Sequence, residues 1–225
     1  MLIAPSILNA DNLNLKEKIS KAVDAGITRF HIDIMDGHFV PNLSFGPELV
    51  KDFKREFPMI DAEIHLMSNQ PKTLVPEFVK AGADSIELHY EAMSEEDLEY
   101  WIDYIHSNGL KVALVLNPDT SVDVLNKYAV KIDQLLIMTV YPGFGGQSFI
   151  ENSADKIKHA REILDNLNPK VPIEVDGGID NKTAAIAKEA GAEIFVSGSY
   201  IFKNGSISGQ INELSEVIKW KHMPF

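Results

Sequence analysis

Eight short apolar runs, rich in β-branched residues, recur along the whole chain and constrain its fold more than any other feature. They are LIAPSIL (2–8), FHIDIM (30–35), AEIHLM (62–67), SIELHY (85–90), KVALVLN (111–117), LLIMTV (135–140), IEVDGG (173–178) and IFVSGS (194–199). Between them lie segments with helical spacing of apolar residues, of which LKEKISKAVDAG, PKTLVPEFVKAG and NKTAAIAKEAG are the clearest. The glycine after the last periodic residue is a common helix stop. Strands alternating with helices build βαβ units on a parallel sheet. Eight such units in 225 residues predict an α/β fold, a single (β/α)8 TIM barrel spanning residues 1–225 as one domain. An open doubly wound sheet is the rival, but no glycine-rich GxGxxG follows the first run. No linker, low-complexity segment or composition break interrupts the pattern.

Charge narrows the partners. With 33 acidic and 21 basic residues the chain carries a formal charge of −12, which repels nucleic acid and anionic membranes. Cysteine is absent, so there is neither a disulfide framework nor thiol catalysis, a composition that suits the cytoplasm. The first residues, MLIAPSILNADNLNL, lack a positive n-region and turn polar by Asn9, and no membrane span is visible. A soluble cytoplasmic protein is expected.

Two ionisable residues, His31 and Asp33, interrupt the apolar run FHIDIM. Positions i and i+2 share a strand face and lie about 6.6 Å apart along it. Ile32 and Ile34 then face the helix layer, while His31, Asp33 and Met35 face the barrel interior, whose C-terminal mouth is where barrel enzymes place their chemistry. The third run puts Glu63, His65 and Met67 on one face, and the seventh puts Glu174 and Asp176 on one face. Aligned by strand ends, His31, Asp33, His65 and Asp176 reach a similar level. Unpaired buried charges cost several kcal/mol each, so four such residues at matching levels predict a divalent metal rather than mutual satisfaction. The mixed N/O set suits Zn2+, Fe2+, Mn2+ or Co2+.

Three glycine-rich segments follow strands six, seven and eight: YPGFGGQSF (141–149), DGG (176–178) and SGS (197–199). Glycine lets backbone N–H groups approach an anion closely, and these barrel loops often bind phosphate. Met35, Met67 and Met138 fall near strand ends, where methionine is most often core filler; Met35 and Met67 share the face of the metal-site residues, where an apolar wall would exclude water. Asp36 and His38 lie just past the second strand and read as turn residues. Glu87 and His89 share a face of the fourth strand and support the ligands if that face is inward. SEEDLEY (94–100) reads as an acidic helix start.

Taken in order, APSIL, HIDIMDGHFVPN, HLM, PGFGGQSF, VDGG and SGS closely resemble the ribulose-phosphate 3-epimerase family, over residues 2 to about 203. The resemblance implies a metal-dependent isomerase that interconverts D-ribulose 5-phosphate and D-xylulose 5-phosphate, and a homo-oligomer. By matching motif it implies that His31, Asp33, His65 and Asp176 bind one divalent metal, with Asp33 and Asp176 also the acid/base pair. It places Ser6 and His65 against the sugar, and Gly143, Phe144, Gly145, Gly146, Gly177, Gly178, Gly198 and Ser199 around the substrate's phosphate end.

Three positions depart from the family pattern: Asn9 where serine is common, Tyr90 in place of a common proline, and Tyr141 where a small polar residue is expected. Tyr141 near the mouth would alter which sugar fits, so a hexulose 6-phosphate such as D-allulose 6-phosphate is the alternative substrate. A metal-dependent phosphosugar lyase is the alternative of another class. A Schiff-base aldolase needs an inward lysine, and the strands offer only Lys111, at the start of its strand. The aromatic tail WKHMPF (220–225) is expected to dock on a neighbour or fold back.

Overall fold

The computed structural model describes residues 1–219; the tail 220–225 lies outside the described residues. Eight parallel strands form one sheet: β1 (Leu2–Pro5), β2 (Arg29–Met35), β3 (Asp61–Met67), β4 (Ser85–His89), β5 (Lys111–Leu116), β6 (Gln134–Met138), β7 (Ile173–Asp176) and β8 (Ile194–Ser197). Pairing runs β1-β8-β7-β6-β5-β4-β3-β2, and a parallel bridge between Ser6 and His31 joins the two ends. The fold is a (β/α)8 barrel, as the alternation of runs predicts.

Helices α1 (Leu15–Asp24), α2 (Pro47–Glu56), α3 (Pro71–Ala81), α4 (Glu95–Ser107), α5 (Leu125–Tyr128), α6 (Ser153–Leu167), α7 (Thr183–Glu189), α8 (Ser199–Lys203) and α9 (Ile207–Ile218) make the outer layer. The three helical segments read from the sequence are α1, α3 and α7. Helix α3 closes on Gly82, whose φ of 91° a residue with a Cβ rarely adopts. SEEDLEY starts α4, with the Ser94 hydroxyl accepting from the Asp97 N–H. Among the described residues no helix is long and apolar enough to cross a membrane.

The core divides along the strand pleat. Outward-facing Phe30, Ile32, Ile64, Ile86, Leu114, Ile137 and Phe195 pack with helix residues such as Val50, Phe78 and Leu164 in one continuous apolar layer between sheet and helices. The barrel interior is different. Its β5/β6 side carries Val115, Leu136, Met138 and Val140, and its β1/β8 side Ala4, Ile194 and Val196. Strands β2, β3, β4 and β7 instead point Arg29, His31, Asp33, Glu63, His65, Glu87, His89, Glu174 and Asp176 inward. All but Asp176 are nearly or completely buried. The sheet register sets Asp33 beside His65 on β2/β3 and Met138 beside Asp176 on β6/β7.

Candidate active site

At the C-terminal end of the barrel, Ser6, Asp33, Met35, Met67, Met138 and Asp176 line a cavity together with the loops after β6, β7 and β8. His31 and His65 lie beneath it, fully buried. The four residues singled out at the strand ends meet here. His31 Nε2 is 3.0 Å from His65 Nδ1, 3.6 Å from Asp33 Oδ1 and 3.8 Å from Asp176 Oδ2. His65 Nδ1 is 3.4 Å from Asp33 Oδ1 and 3.7 Å from Asp176 Oδ2. Donors bound about 2.0–2.2 Å from a common ion stand roughly 3.0–3.6 Å from each other. The observed separations run from 3.0 to 3.8 Å, in that range or slightly above it, so this donor set fits a divalent ion.

The second ring nitrogens are also engaged. His31 Nδ1 lies 3.1 Å from Glu63 Oε1, and His65 Nε2 lies 2.8 Å from His89 Nε2. Such outer partners fix the orientation of ligand imidazoles.

The two aspartates differ in charge state. Burial would raise the Asp33 carboxyl, but the His31 and His65 rings beside it hold it far below the usual carboxylate range. The Ser6 hydroxyl also donates to Asp33 Oδ2 at 2.5 Å. Asp176 goes the other way. Burial, aided by the charges of Asp33 and Glu63 and opposed by His31, pushes it up to about 7. The His31 imidazolium suffers from burial, yet Asp33, Glu63 and Glu87 outweigh that and raise its pKa well above the ordinary value. Burial, with the neighbouring His89 and His31, lowers His65 to about 3 against the pull of Asp33.

A second set of donors sits one layer deeper. His31, Glu63, Glu87 and Glu174 also bring ligand atoms within 4.8 Å of one another. Here, however, a cation is already built in: Arg29 Nη1 lies 2.8 Å from Glu63 Oε2. Burial would raise Glu63, but His31 and Arg29 hold it down to about 2. Burial and the Glu63 charge push Glu87 up to about 8 and Glu174 well above its ordinary value. Apart from His31, whose charge is shared with Asp33 above, one carboxylate, one guanidinium and two neutral acids sum to zero. The oxygens Glu87 Oε2 and Glu174 Oε1 make no hydrogen bond, which a neutral acid tolerates far better than a carboxylate.

The glycine loops close the mouth as their positions imply. Gly143, Phe144, Gly145, Gly146, Gly177, Gly178, Gly198 and Ser199 all line the cavity. At Gly177 and Gly178 φ is 121° and 65°, and a Cβ would strike the Val140 side chain and the Phe149 backbone respectively. The motif HFVPN contributes through Asn42, whose side-chain amide donates to the Gly143 carbonyl at 2.7 Å. That clamp between the β2 and β6 loops is invisible to strand-by-strand reading. Asn9 also lines the cavity, and its amide lies against Gly145 and Gly198. Asp36 is a turn residue, as read: its carboxylate accepts from the His38 and Phe39 N–H groups and from the Ser68 hydroxyl, while His38 is exposed.

One expectation is corrected. The Tyr141 side chain does not line the cavity; it turns outward, half exposed, and its hydroxyl donates to the Asp119 carboxylate at 2.9–3.0 Å. No lysine lines the cavity among the described residues, and Lys111 faces the opposite end of the barrel.

Residues 2–202 match the model of the ribulose-phosphate 3 epimerase family. The chain belongs to that family. It is 41% identical over 210 residues to the ribulose-phosphate 3-epimerase of Chlamydia pneumoniae, covering 92% of this chain and 90% of that one. It is 40% identical over 222 residues to the enzyme of Escherichia coli K12, with 98% of each chain covered, and 40% identical over 213 residues to that of Bacillus subtilis 168. Among solved structures a 3-hexulose-6-phosphate synthase superposes with a TM-score of 0.74 over 97% of this chain at 16% identity, which speaks to the shared barrel alone. Enzymes of this epimerase family are metal-dependent isomerases, and the His/Asp cluster at the mouth is compatible with that requirement.

Proposed function

We propose that this protein is a ribulose-phosphate 3-epimerase that inverts C3 of D-ribulose 5-phosphate to give D-xylulose 5-phosphate. The observation that carries the reading is the Asp33/Asp176 pair. The two carboxyls come from β2 and β7, meet over one cavity and have their pKa values pushed apart, Asp33 down and Asp176 up to about 7. Epimerisation needs such a pair: an ionised group to take a proton from one face and an acid to return one to the other.

The C3 proton lies next to the C2 carbonyl, so its removal leaves an enediolate. Asp33, held ionised by His31, His65 and the Ser6 hydroxyl, takes that proton. Asp176 keeps a proton near neutral pH and delivers it to the opposite face. The roles exchange in the reverse direction. A divalent ion, one of Zn2+, Fe2+, Mn2+ or Co2+, would be held by His31, Asp33, His65 and Asp176. When bound, it supplies Lewis-acid stabilisation of the charge developing on the substrate oxygens. Ser6 holds Asp33 in place and faces the sugar. Met35, Met67 and Met138 keep water from the reacting carbon. The backbone N–H groups of the glycine loops and of Ser199 take the phosphate.

Placement of Tyr141 outside the cavity removes the feature that favoured a hexulose substrate. The relatives' identity favours the epimerase over the lyase. Absence of cysteine supports a cytoplasmic setting, and the family resemblance supports a homo-oligomer, which light scattering on the purified protein would size. The activity test is a proton NMR time course in D2O with metal-loaded protein and D-ribulose 5-phosphate. Loss of the C3 proton signal with growth of the C3 epimer is the expected result. No exchange, with bound metal confirmed, would sink the reading.

A further inference from the structure

Beyond the four metal-site residues, a hydrogen-bonded chain continues from His65 across the barrel interior to the far side of β4. His65 Nε2 faces His89 Nε2 at 2.8 Å, and His89 Nδ1 faces Glu91 Oε2 at 3.2 Å. The His65 and His89 ring planes are only 23° apart, with centroids separated by 5.0 Å. That separation is close to the N···N distance plus the two ring radii. The rings therefore meet edge to edge, in the geometry of an N–H···N hydrogen bond, and not face to face. Both rings are fully buried, so neither nitrogen has water as a substitute partner.

Burial disfavours a charge on either ring, and with both imidazoles neutral only one arrangement of protons satisfies every member. Glu91 is acceptor-only when ionised, and its other oxygen already accepts from the Asn117 N–H at 2.8 Å and from the Thr120 hydroxyl. His89 must then carry its proton on Nδ1, toward Glu91, which leaves Nε2 as an acceptor. His65 must donate from Nε2, which leaves the Nδ1 lone pair free and aimed at His31, Asp33 and Asp176. A neutral imidazole on its own has no such fixed choice.

We propose that His89 and Glu91 are positioning residues that lock His65 in the Nε2–H tautomer, so that its Nδ1 is presented to the metal. The proposal rests on the metal-site reading given above. Glu91 is the anchor, because the loop after β5 holds it from the other side. Lys156 steadies that loop through the Asn117 and Pro118 carbonyls. His89 transmits the constraint, packed against Phe39 at a ring-centroid distance of 4.8 Å.

The test compares Zn2+ affinity, by chelator competition, in the full-length wild type, His89→Phe and His89→Gln. Phenylalanine fills the space but leaves the His65 N–H without a partner; the glutamine carbonyl can accept it. Loss of an outer partner of a metal-bound histidine typically costs on the order of 10- to 100-fold in affinity. The Phe variant should show that loss, and the Gln variant should recover part of it. Unchanged affinity in the Phe variant would overturn the proposal. Wild-type protein that binds no Zn2+ would overturn the metal-site reading and this inference together. A second readout needs no variant: 15N–1H correlation of the imidazoles in Zn2+-loaded wild type should place the His89 proton on Nδ1 and the His65 proton on Nε2. A His89 proton on Nε2 would refute the chain as drawn.

Discussion

Two polar tiers are stacked inside this barrel, and His31 joins them through its two ring nitrogens. The lower tier is Arg29, Glu63, Glu87, Gln134 and Glu174; the upper is Asp33, His65, His89 and Asp176. Both are largely buried, both are rich in carboxylates, and each, with the shared His31, brings four candidate ligands within 4.8 Å. They differ in what completes them. In the lower tier Arg29 neutralises Glu63, and the Gln134 amide reaches Glu63, Glu87 and Glu174. In the upper tier among the described residues no lysine or arginine approaches Asp33 or Asp176, and both carboxyls face a cavity. Burying charge is costly, and the cost must be met by a partner. The lower tier carries a permanent cation, Arg29, in the sequence. The upper tier has only the titratable His31 beside Asp33, a charge that a metal ion can replace, and that difference separates a structural cluster from a site.

The comparison can be broken at either tier. The largest effect is expected at the top. Asp176→Asn keeps the shape but can neither return nor accept the C3 proton. General acid–base groups contribute about 10²–10⁴-fold, and a kcat loss of that size in the coupled epimerase assay is the prediction. Near wild-type turnover in the Asp176→Asn variant would remove the residue from the mechanism.

At the bottom the same logic predicts lost stability. Arg29→Met strands Glu63 in a dry interior. Removing one partner of a buried ion pair costs about 3–5 kcal/mol. At about 2–4 °C per kcal/mol for a chain of this size, calorimetry should show Tm lower by roughly 6–20 °C. Zn2+ affinity should change far less than in the upper-tier variants. A variant as stable as wild type would show that the lower tier does not depend on its arginine.

A smaller, graded effect is expected from pH. In the metal-free protein Asp176 holds its proton up to about 7, and Asp33, Glu63 and Glu87 raise the His31 imidazole well above its ordinary value. Metal binding needs His31 Nε2 free of its proton and one Asp176 oxygen bare, so that any proton kept on Asp176 sits on its other oxygen. Protons therefore compete with the ion at both groups around neutral pH, and apparent Zn2+ affinity should rise as pH goes from 6 to 8. Calorimetric titration in buffers of different ionisation enthalpy would count the protons released. An affinity that is flat over this range would contradict the assigned charge states.

Much of this was legible in the sequence, and the parts that were not have a physical reason. The eight apolar runs locate all eight strands, because barrel strands must bury their outward face under helices. The runs missed Arg29, Asp61 and Gln134, each the first residue of its strand. A polar residue ahead of an apolar run looks like a loop end, yet Arg29 and Gln134 point inward and complete the lower tier. The runs also overshot several strand ends; Ser6, Val140, Gly177, Gly178 and Gly198 lie in the loops that shape the mouth, and Ser199 starts α8. His31, Asp33, His65 and Asp176 were visible because two-residue spacing puts ionisable groups where only apolar ones are cheap. The His65–His89–Glu91 chain was only half visible. His89 shares the Glu87 face, but Glu91 lies past the strand end, in a turn whose direction spacing does not give.

The central claim is that the metal belongs to the upper tier. The most direct measurement is metal content per chain, by plasma emission after saturation and desalting, for wild type, Asp33→Asn and Glu174→Gln. The account predicts one divalent ion per chain in wild type and one in Glu174→Gln, whose new side chain mimics the neutral acid already there. It predicts a large loss in Asp33→Asn. Retention of the ion in Asp33→Asn with its loss in Glu174→Gln would place the metal in the lower tier and contradict the account.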